Sequence, residues 1–361
     1  MLDLNRILHD KSRDGLEKKR IKWVDATRAF AIFCIVLGHA INGKNMIWHI
    51  VYGFHVPLFI ILGGFTYSCR EKEFGVYSIK KFRSIMIPYY FWGIFSIAIY
   101  FLMSKVIHED TLSISQCIVG LVVGTAKNGY MHWNTPMWYL PMYFLIQIVS
   151  YVLYKHKPDG RTKCVYGILS FVFAYLLYLI KPDLQLPLGL SSSIYLYPFF
   201  VFGSILKDIL DYLNELTKLK KLILACTLIA ISGFLIAWQK NIDYVTDVYR
   251  NYPIFVFSAI AMSLGFIIII REMPRYNSLV TIVGTNTLGI MILQKFPLYF
   301  FIHVCPGVKE VYYSYPLLVS MVVSLITVFC CVVVCIIGTS YAPWAFGRVV
   351  LRKRNKVNGG S

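Results

Sequence analysis

Ten apolar stretches govern what this chain can fold into. They cover residues 24–42, 49–68, 84–103, 136–154, 164–180, 192–207, 221–239, 252–270, 279–299 and 314–340. About 20 apolar residues in a helix span the roughly 30 Å of hydrocarbon in a bilayer, and tilt absorbs modest differences in length. Backbone polar groups find no water in that layer, so segments of this kind satisfy them internally as helices. The expected fold is all-α: a polytopic membrane protein of about ten transmembrane helices. Of the 361 residues, 57% are hydrophobic. One membrane domain is expected over 23–347, between a basic tail at 1–22 and a second basic, linker-like tail at 348–361.

The formal charge of +18 would suit nucleic acid, but its distribution argues against such a partner. Of the 36 Lys and Arg residues, 27 count to the tails and alternate loops on one side of the expected membrane, 8 count to the other side (Lys295, near the end of the ninth stretch, among them), and Arg28 lies inside the first stretch. That asymmetry puts both termini in the cytoplasm by the positive-inside rule. The excess also offers a surface to anionic membrane lipids and ligands. No pattern of a cleavable signal is expected, since the basic tail and first span are both long and no small-residue cleavage site follows. The 9 cysteines form no CxxC pair and no metal-ligand spacing occurs, so no metal is expected.

Chemistry must then be done within the membrane domain. An ionisable side chain at the centre of a bilayer costs at least a few kcal/mol, so such residues are the first candidates. The first stretch, WVDATRAFAIFCIVLGHAIN, holds Asp25, Arg28 and His39. Eleven helical steps of about 100° return to nearly the same face, which puts Arg28 and His39 on one stripe, roughly 16 Å apart at 1.5 Å per residue. Asp25 lies three residues before Arg28, where a carboxylate can hold a guanidinium. An ion pair at a helix end can be a plain snorkelling anchor. An imidazole deep in a span needs partners and points to proton handling.

His55 enters from the second span at a depth similar to that of His39, because the two helices run in opposite directions. Two imidazoles without a carboxylate suit the orienting or deprotonation of a hydroxyl better than a metal. Lys80, Lys81 and Arg83 precede Tyr89 at the start of the third span. Such residues anchor a cytoplasmic helix end, and they also suit phosphates, Arg83 in bidentate fashion. On the other side, GYMHWNTPMWYLP gathers His132, Trp133, Asn134 and Trp138. That aromatic and amide set suits a sugar, and equally the aromatic belt of a membrane interface. The short apolar run just before it reads as a re-entrant or interfacial helix. Gly63 and Gly64 read as a close helix approach, Asn286 and Gln294 as interhelix amides.

Four pieces in order over residues 23–150 resemble the acyltransferase 3 family of integral membrane acyltransferases: VDATRAF…LGH, with Arg28 and His39 in an Arg-x10-His spacing, FHVPLFIILGGF, KKFRSIMIPYYFW and PMWYLPMYFLIQ. The wording LGHA and FHVPLF is similar to the fucose-acetylase-like branch. The second half resembles the family in span count and in LGIMILQKFP, although many members carry His where Gln294 stands here. The resemblance implies transfer of an acyl group, commonly acetyl, from cytoplasmic acetyl-CoA or another acyl-CoA to a hydroxyl of an extracytoplasmic glycan or lipid-linked sugar. It also implies a plasma-membrane protein of bacterial type.

On that basis His39 is expected as general base or, failing that, acyl carrier, Asp25 orients Arg28, and His55 assists with the acceptor or the oxyanion. Arg83, Lys80, Lys81 and Tyr89 are expected at the donor's phosphates, and His132, Trp133, Asn134 and Trp138 at the acceptor. A polysaccharide exporter, a small-anion transporter or a non-catalytic assembly subunit would share the architecture, but no inverted repeat is visible in the sequence. Turnover of acyl-CoA in detergent separates these classes from an enzyme.

Overall fold

In the computed structural model, α1 (Lys22–Ala40) and α2 (Met46–Phe65) form an antiparallel hairpin, and Asn45 caps α2 by accepting the Trp48 amide at 2.9 Å. The described residues are 20–348, apart from 42, 70, 108–111, 127–128, 182–183, 185, 241 and 306, so the tails expected at 1–22 and 348–361 fall almost wholly outside them. α3 (Phe74–Lys81) passes through a π-helical turn, Phe82–Met86, into α4 (Ile87–Ile107). The short α5 (Ile114–Val123) precedes a 3-10 turn, His132–Trp138, which leads into α6 (Tyr139–Tyr154). Then come α7 (Gly160–Ile180), α8 (Leu190–Leu213), α9 (Lys218–Gln239) and α10 (Tyr252–Arg271), with a two-stranded antiparallel ribbon, Ile242–Asp243 and Val248–Tyr249, between the last two. The chain continues through α11 (Ser278–Thr285), α12 (Thr287–Leu293), α13 (Lys295–Tyr299), a second π-helical turn at Phe300–Val304, α14 (Val308–Ser314) and α15 (Pro316–Tyr341). A 3-10 turn, Pro343–Phe346, follows α15.

Among the described residues, nine helical runs are long and apolar enough to cross a membrane, and a bent pair, Ser278–Thr285 with Thr287–Ile302, makes ten when counted as one span. The chain is an all-α multi-pass membrane protein. The ninth stretch, expected as one helix over 279–299, bends by 66° between α11 and the run that starts at Thr287. The cause is local. Asn286 leaves the helical region, with φ −111 and ψ 15, and its side-chain amide donates to the Ile282 carbonyl at 2.8 Å. Asparagine competes for backbone groups in this way and so interrupts helices. The third span also begins earlier than expected, at Phe74, and the sixth runs over Pro187–Leu213.

α1 lies at the centre, packed by α2, α11 and α15, while α2 packs on α8. Burial follows that layout: 72% of the central window of α1 is buried against 6% for α7, whose apolar surface faces outward, where lipid would be. Where α2 crosses α8 the backbones nearly touch. A Cβ on Gly64 would lie 2.0 Å from the Phe200 carbonyl oxygen, and one on Gly203 would lie 2.0 Å from that of Ile61. The neighbouring Gly63 instead leaves room for the Tyr143 hydroxyl, which would stand 2.5 Å from its Cβ. Beyond α15 the chain folds back: Trp92 donates to the Ala345 carbonyl at 2.8 Å and Arg348 to Asn286 Oδ1 at 3.0 Å. Since α11 packs on the start of α1, the start of α1 and the end of α15 share one side, the terminal side of the bundle.

Candidate active site

The Arg28–His39 stripe of α1 lines two successive cavities. Arg28, Ile32 and Ile35 face a cleft of about 770 Å³ whose other walls are α2 (Phe59, Gly63), α6 (Tyr139, Tyr143) and α12 (Thr287, Leu288, Met291). One turn further along, His39 faces a cavity of about 520 Å³ with Thr135 and Pro136 from the turn before α6, and Gln294, Lys295, Leu298 and Tyr299 from the broken span. Positions 28, 32, 35 and 39 are spaced by four, three and four residues, the spacing that keeps side chains on one helix face. The same stretches of chain serve both cavities: α1, the segment of the 3-10 turn and the start of α6, and the second half of the broken span.

At the terminal end, the expected Asp25–Arg28 clamp is loose. Buried Asp25 accepts from Arg20 Nε at 2.5 Å, while Arg28 Nη1 stands 3.9 Å from its other oxygen. The guanidinium of Arg28 is oriented from α2 as well, by donating to Thr66 Oγ1 at 3.1 Å. Arg20 thus takes the role of nearest partner that the three-residue spacing suggested for Arg28.

At the other end, His39 and His55 come together through a third residue. The Tyr52 hydroxyl lies 3.5 Å from His39 Nδ1. Its ring stacks on Trp48, with centroids 3.9 Å apart, and meets the His55 ring edge-on at 4.9 Å. His55 is buried, and its Nδ1–H donates to the Val51 carbonyl at 2.7 Å. That bond leaves the lone pair on Nε2. Tyr244 closes the other flank, edge-on at 5.7 Å. His55 therefore supports the tyrosine beside His39, and only His39 of the two lines the cavity.

The remaining candidates disperse. Lys80 is exposed and paired with Glu71 at 2.9 Å, and the Lys81 ammonium lies 5.5 Å from the Tyr77 ring centroid. Arg83 is exposed in the π-helical turn, two residues from Ile85, which lines the arginine cleft. Tyr89 is fully buried and donates to the Leu121 carbonyl at 2.7 Å, tying α4 to α5. His132 and Trp133 line a third cleft, about 790 Å³, between α4 and α13, with Ser96, Tyr100, Lys295 and Tyr299 among its walls. Asn134 bridges α4 and α12 by donating to Ser96 Oγ at 3.0 Å and to the Ile292 carbonyl at 2.9 Å. Trp138 faces a separate crevice with Ser191, Ser192 and Asp247, its ring nearly parallel to that of Tyr244.

Three residues of the site are not evident from the sequence: Tyr52 beside His39, and Lys295 and Tyr299 in the cavity wall. Lys295 could have been noticed as an ionisable residue within the apolar stretch 279–299. It lines both the histidine cavity and the third cleft, and its ammonium donates to the His132 carbonyl. Gln294, read as a packing amide, is fully buried in the wall of the histidine cavity. Its Nε2 donates to the Met291 carbonyl at 3.1 Å, and its Oε1 has no partner among the described residues.

The structure is thus a multi-pass helical bundle whose central helix lines one cavity at Arg28 and a second at His39. Residues 21–341 match the acyltransferase domain model of the acyltransferase 3 family, so the chain belongs to that family and is a membrane acyltransferase. No curated protein and no solved structure matches it significantly.

Proposed function

We propose that this protein moves an acyl group, acetyl in the simplest case, from acyl-CoA to a hydroxyl of a glycan or lipid-linked sugar. The donor enters from the terminal side, which faces the cytoplasm, and meets the acceptor at His39. The observation that carries this reading is the continuous stripe Arg28–Ile32–Ile35–His39 with a cavity at each half. Its length suits a donor that is anionic at one end and reactive at the other. Arg28 in the cleft attracts the phosphates, and Arg83, two residues from the cleft-lining Ile85, extends the positive charge with Lys80 and Lys81 on the preceding turns. The largely apolar walls of the arginine cleft accept the pantetheine arm and bring the thioester to His39.

There the imidazole takes the proton of the acceptor hydroxyl as its oxygen attacks the thioester carbonyl. The tetrahedral intermediate then collapses, the carbon–sulfur bond breaks, and the departing sulfur receives the proton back from His39. Tyr52 and His55 position the base. His132 and Trp133, in the neighbouring cleft, offer an aromatic wall to the acceptor. The decisive experiment is CoA release from acetyl-CoA by purified protein in detergent, read with a thiol-reactive dye, with and without a crude envelope glycan. Glycan-stimulated release that falls about 10²-fold or more in His39→Ala is the expected result. A well-folded wild-type protein that neither binds nor turns over any of several acyl-CoAs would sink the reading and favour a transporter.

A further inference from the structure

Lys295 is a cation placed inside an apolar span without a counter-ion. Among the described residues no carboxylate lies within ion-pair distance of its ammonium, whereas Arg28, Lys80 and Lys221 each have one. Its hydrogen bond goes to a neutral group, the His132 carbonyl. A cation within an apolar segment without an ion pair is costly and is a functional candidate by default. Its position supplies the second observation. Together with Tyr299 it forms the partition between the histidine cavity and the cleft lined by Trp133. The third is the polar character of that cavity. His39, Thr135 and the Gln294 amide face it along with Lys295, and none of them is anionic. The Gln294 oxygen lies buried in that cavity wall without a partner among the described residues. A base and, among the described residues, an uncompensated cation in the lining of one cavity suit a neutral hydroxyl that gives rise to an anion during the reaction.

We propose that Lys295 is a further catalytic residue, whose ammonium stabilises the oxyanion formed on the thioester carbonyl beside His39. This rests on the acyl-transfer reading above. When the acceptor oxygen adds, its proton passes to His39, the new carbon–oxygen bond forms, and the carbonyl electron pair moves onto the oxygen that faces Lys295. On collapse that pair re-forms the carbonyl, the carbon–sulfur bond breaks, and the sulfur takes the proton from His39. Lys295 keeps all its protons throughout. The bond to the His132 carbonyl holds the ammonium against the cavity wall beforehand, so little reorganisation is needed when charge develops. The apolar surroundings strengthen the attraction relative to water.

Two variants separate charge from structure. Lys295→Gln keeps a donor for the His132 carbonyl and removes the charge, and Lys295→Arg keeps the charge. The readouts are kcat and KM for CoA release, the thermal midpoint, and the Kd of an acyl-CoA analogue with a methylene in place of the thioester sulfur. The expected result is a kcat lower by about 10²–10³-fold in Lys295→Gln, with analogue Kd within about threefold of wild type and the midpoint retained, and at least about tenfold recovery in Lys295→Arg. Full kcat in Lys295→Gln, beside a working wild type, overturns this inference alone. So does a fall of kcat, analogue affinity and midpoint together in both variants, which would make Lys295 a structural latch. A wild type that releases no CoA overturns the acyl-transfer reading and this one with it.

Discussion

Gly38 precedes His39 in the first stretch, and the hairpin explains why a side chain is missing there. A Cβ at position 38 would stand 2.9 Å from Cε2 of Tyr52 and 3.4 Å from Cγ1 of Val51. The Tyr52 ring cannot retreat freely, because it lies stacked on Trp48. An alanine methyl would therefore turn Tyr52 away from His39 Nδ1 while leaving the chemistry of both side chains intact. Displacements of about 1 Å near a reacting group cost up to roughly 10²-fold in rate. Gly38→Ala is accordingly expected to lower CoA release by about 10- to 100-fold, with normal yield and a monodisperse profile in size-exclusion chromatography. Wild-type turnover by that variant would show that Tyr52 does not position the base. The Arg28–His39 relation was legible in the sequence because both residues sit on one helix, where spacing alone fixes the face. Tyr52 and Lys295 come from other helices, and which way those helices turn is settled by packing. For the same reason the four residues over 132–138 looked like one sugar-contact set, whereas the 3-10 turn sends His132 and Trp133 toward Lys295 and Trp138 toward Asp247.

At the level of whole helices, the spans were readable because apolarity over some 20 residues has few other uses. The break in the ninth one was not. Its two halves are as apolar together as a straight helix would be, and the bend depends on Asn286 capturing the Ile282 carbonyl, with Arg348 bonding the same side chain from 62 residues away. The break sends the half that bears Gln294 and Lys295 along α1 to the histidine cavity. Close packing is the other device that a linear reading underdetermines. Gly64 was legible as a small residue, but its partner Gly203 on α8 was not. The two glycines relieve one crossing, since each would place a methyl 2.0 Å from the opposite backbone. Backbone atoms cannot rotate away as side chains can, so Gly64→Ala and Gly203→Ala are each expected to destabilise the bundle by about 1–3 kcal/mol. The double variant should cost less than the sum, because the first substitution already separates the helices that the second would strain. Thermal unfolding in detergent measures this, and unchanged midpoints in both single variants would refute the tight crossing.

Across the whole molecule the two cavities lie in a fixed order. The arginine cleft lies toward the side where α1 begins and where the chain returns after α15, and the histidine cavity lies beyond it along α1. Acyl-CoA carries several negative charges and does not cross a bilayer unaided, so the proposed donor site, reached from one side, predicts a vectorial reaction. The basic bias of 27 to 8 in alternate loops is the ground for expecting the terminal side in the cytoplasm. Sealed vesicles then distinguish the two faces. Inverted vesicles, with the terminal side outward, are expected to consume added acyl-CoA. Right-side-out vesicles are expected to consume it only after detergent opens them, with a latency of about tenfold or more set by the permeability barrier to a multiply charged donor. The thiol-reactive dye reports CoA on the side where it is released, so the same assay shows whether the sulfur leaves by the route through which it entered. Equal rates from both kinds of sealed vesicle would mean that the donor also reaches His39 through the far cavity. Consumption by right-side-out vesicles alone would reverse the topology, and with it the assignment of the arginine cleft to the donor.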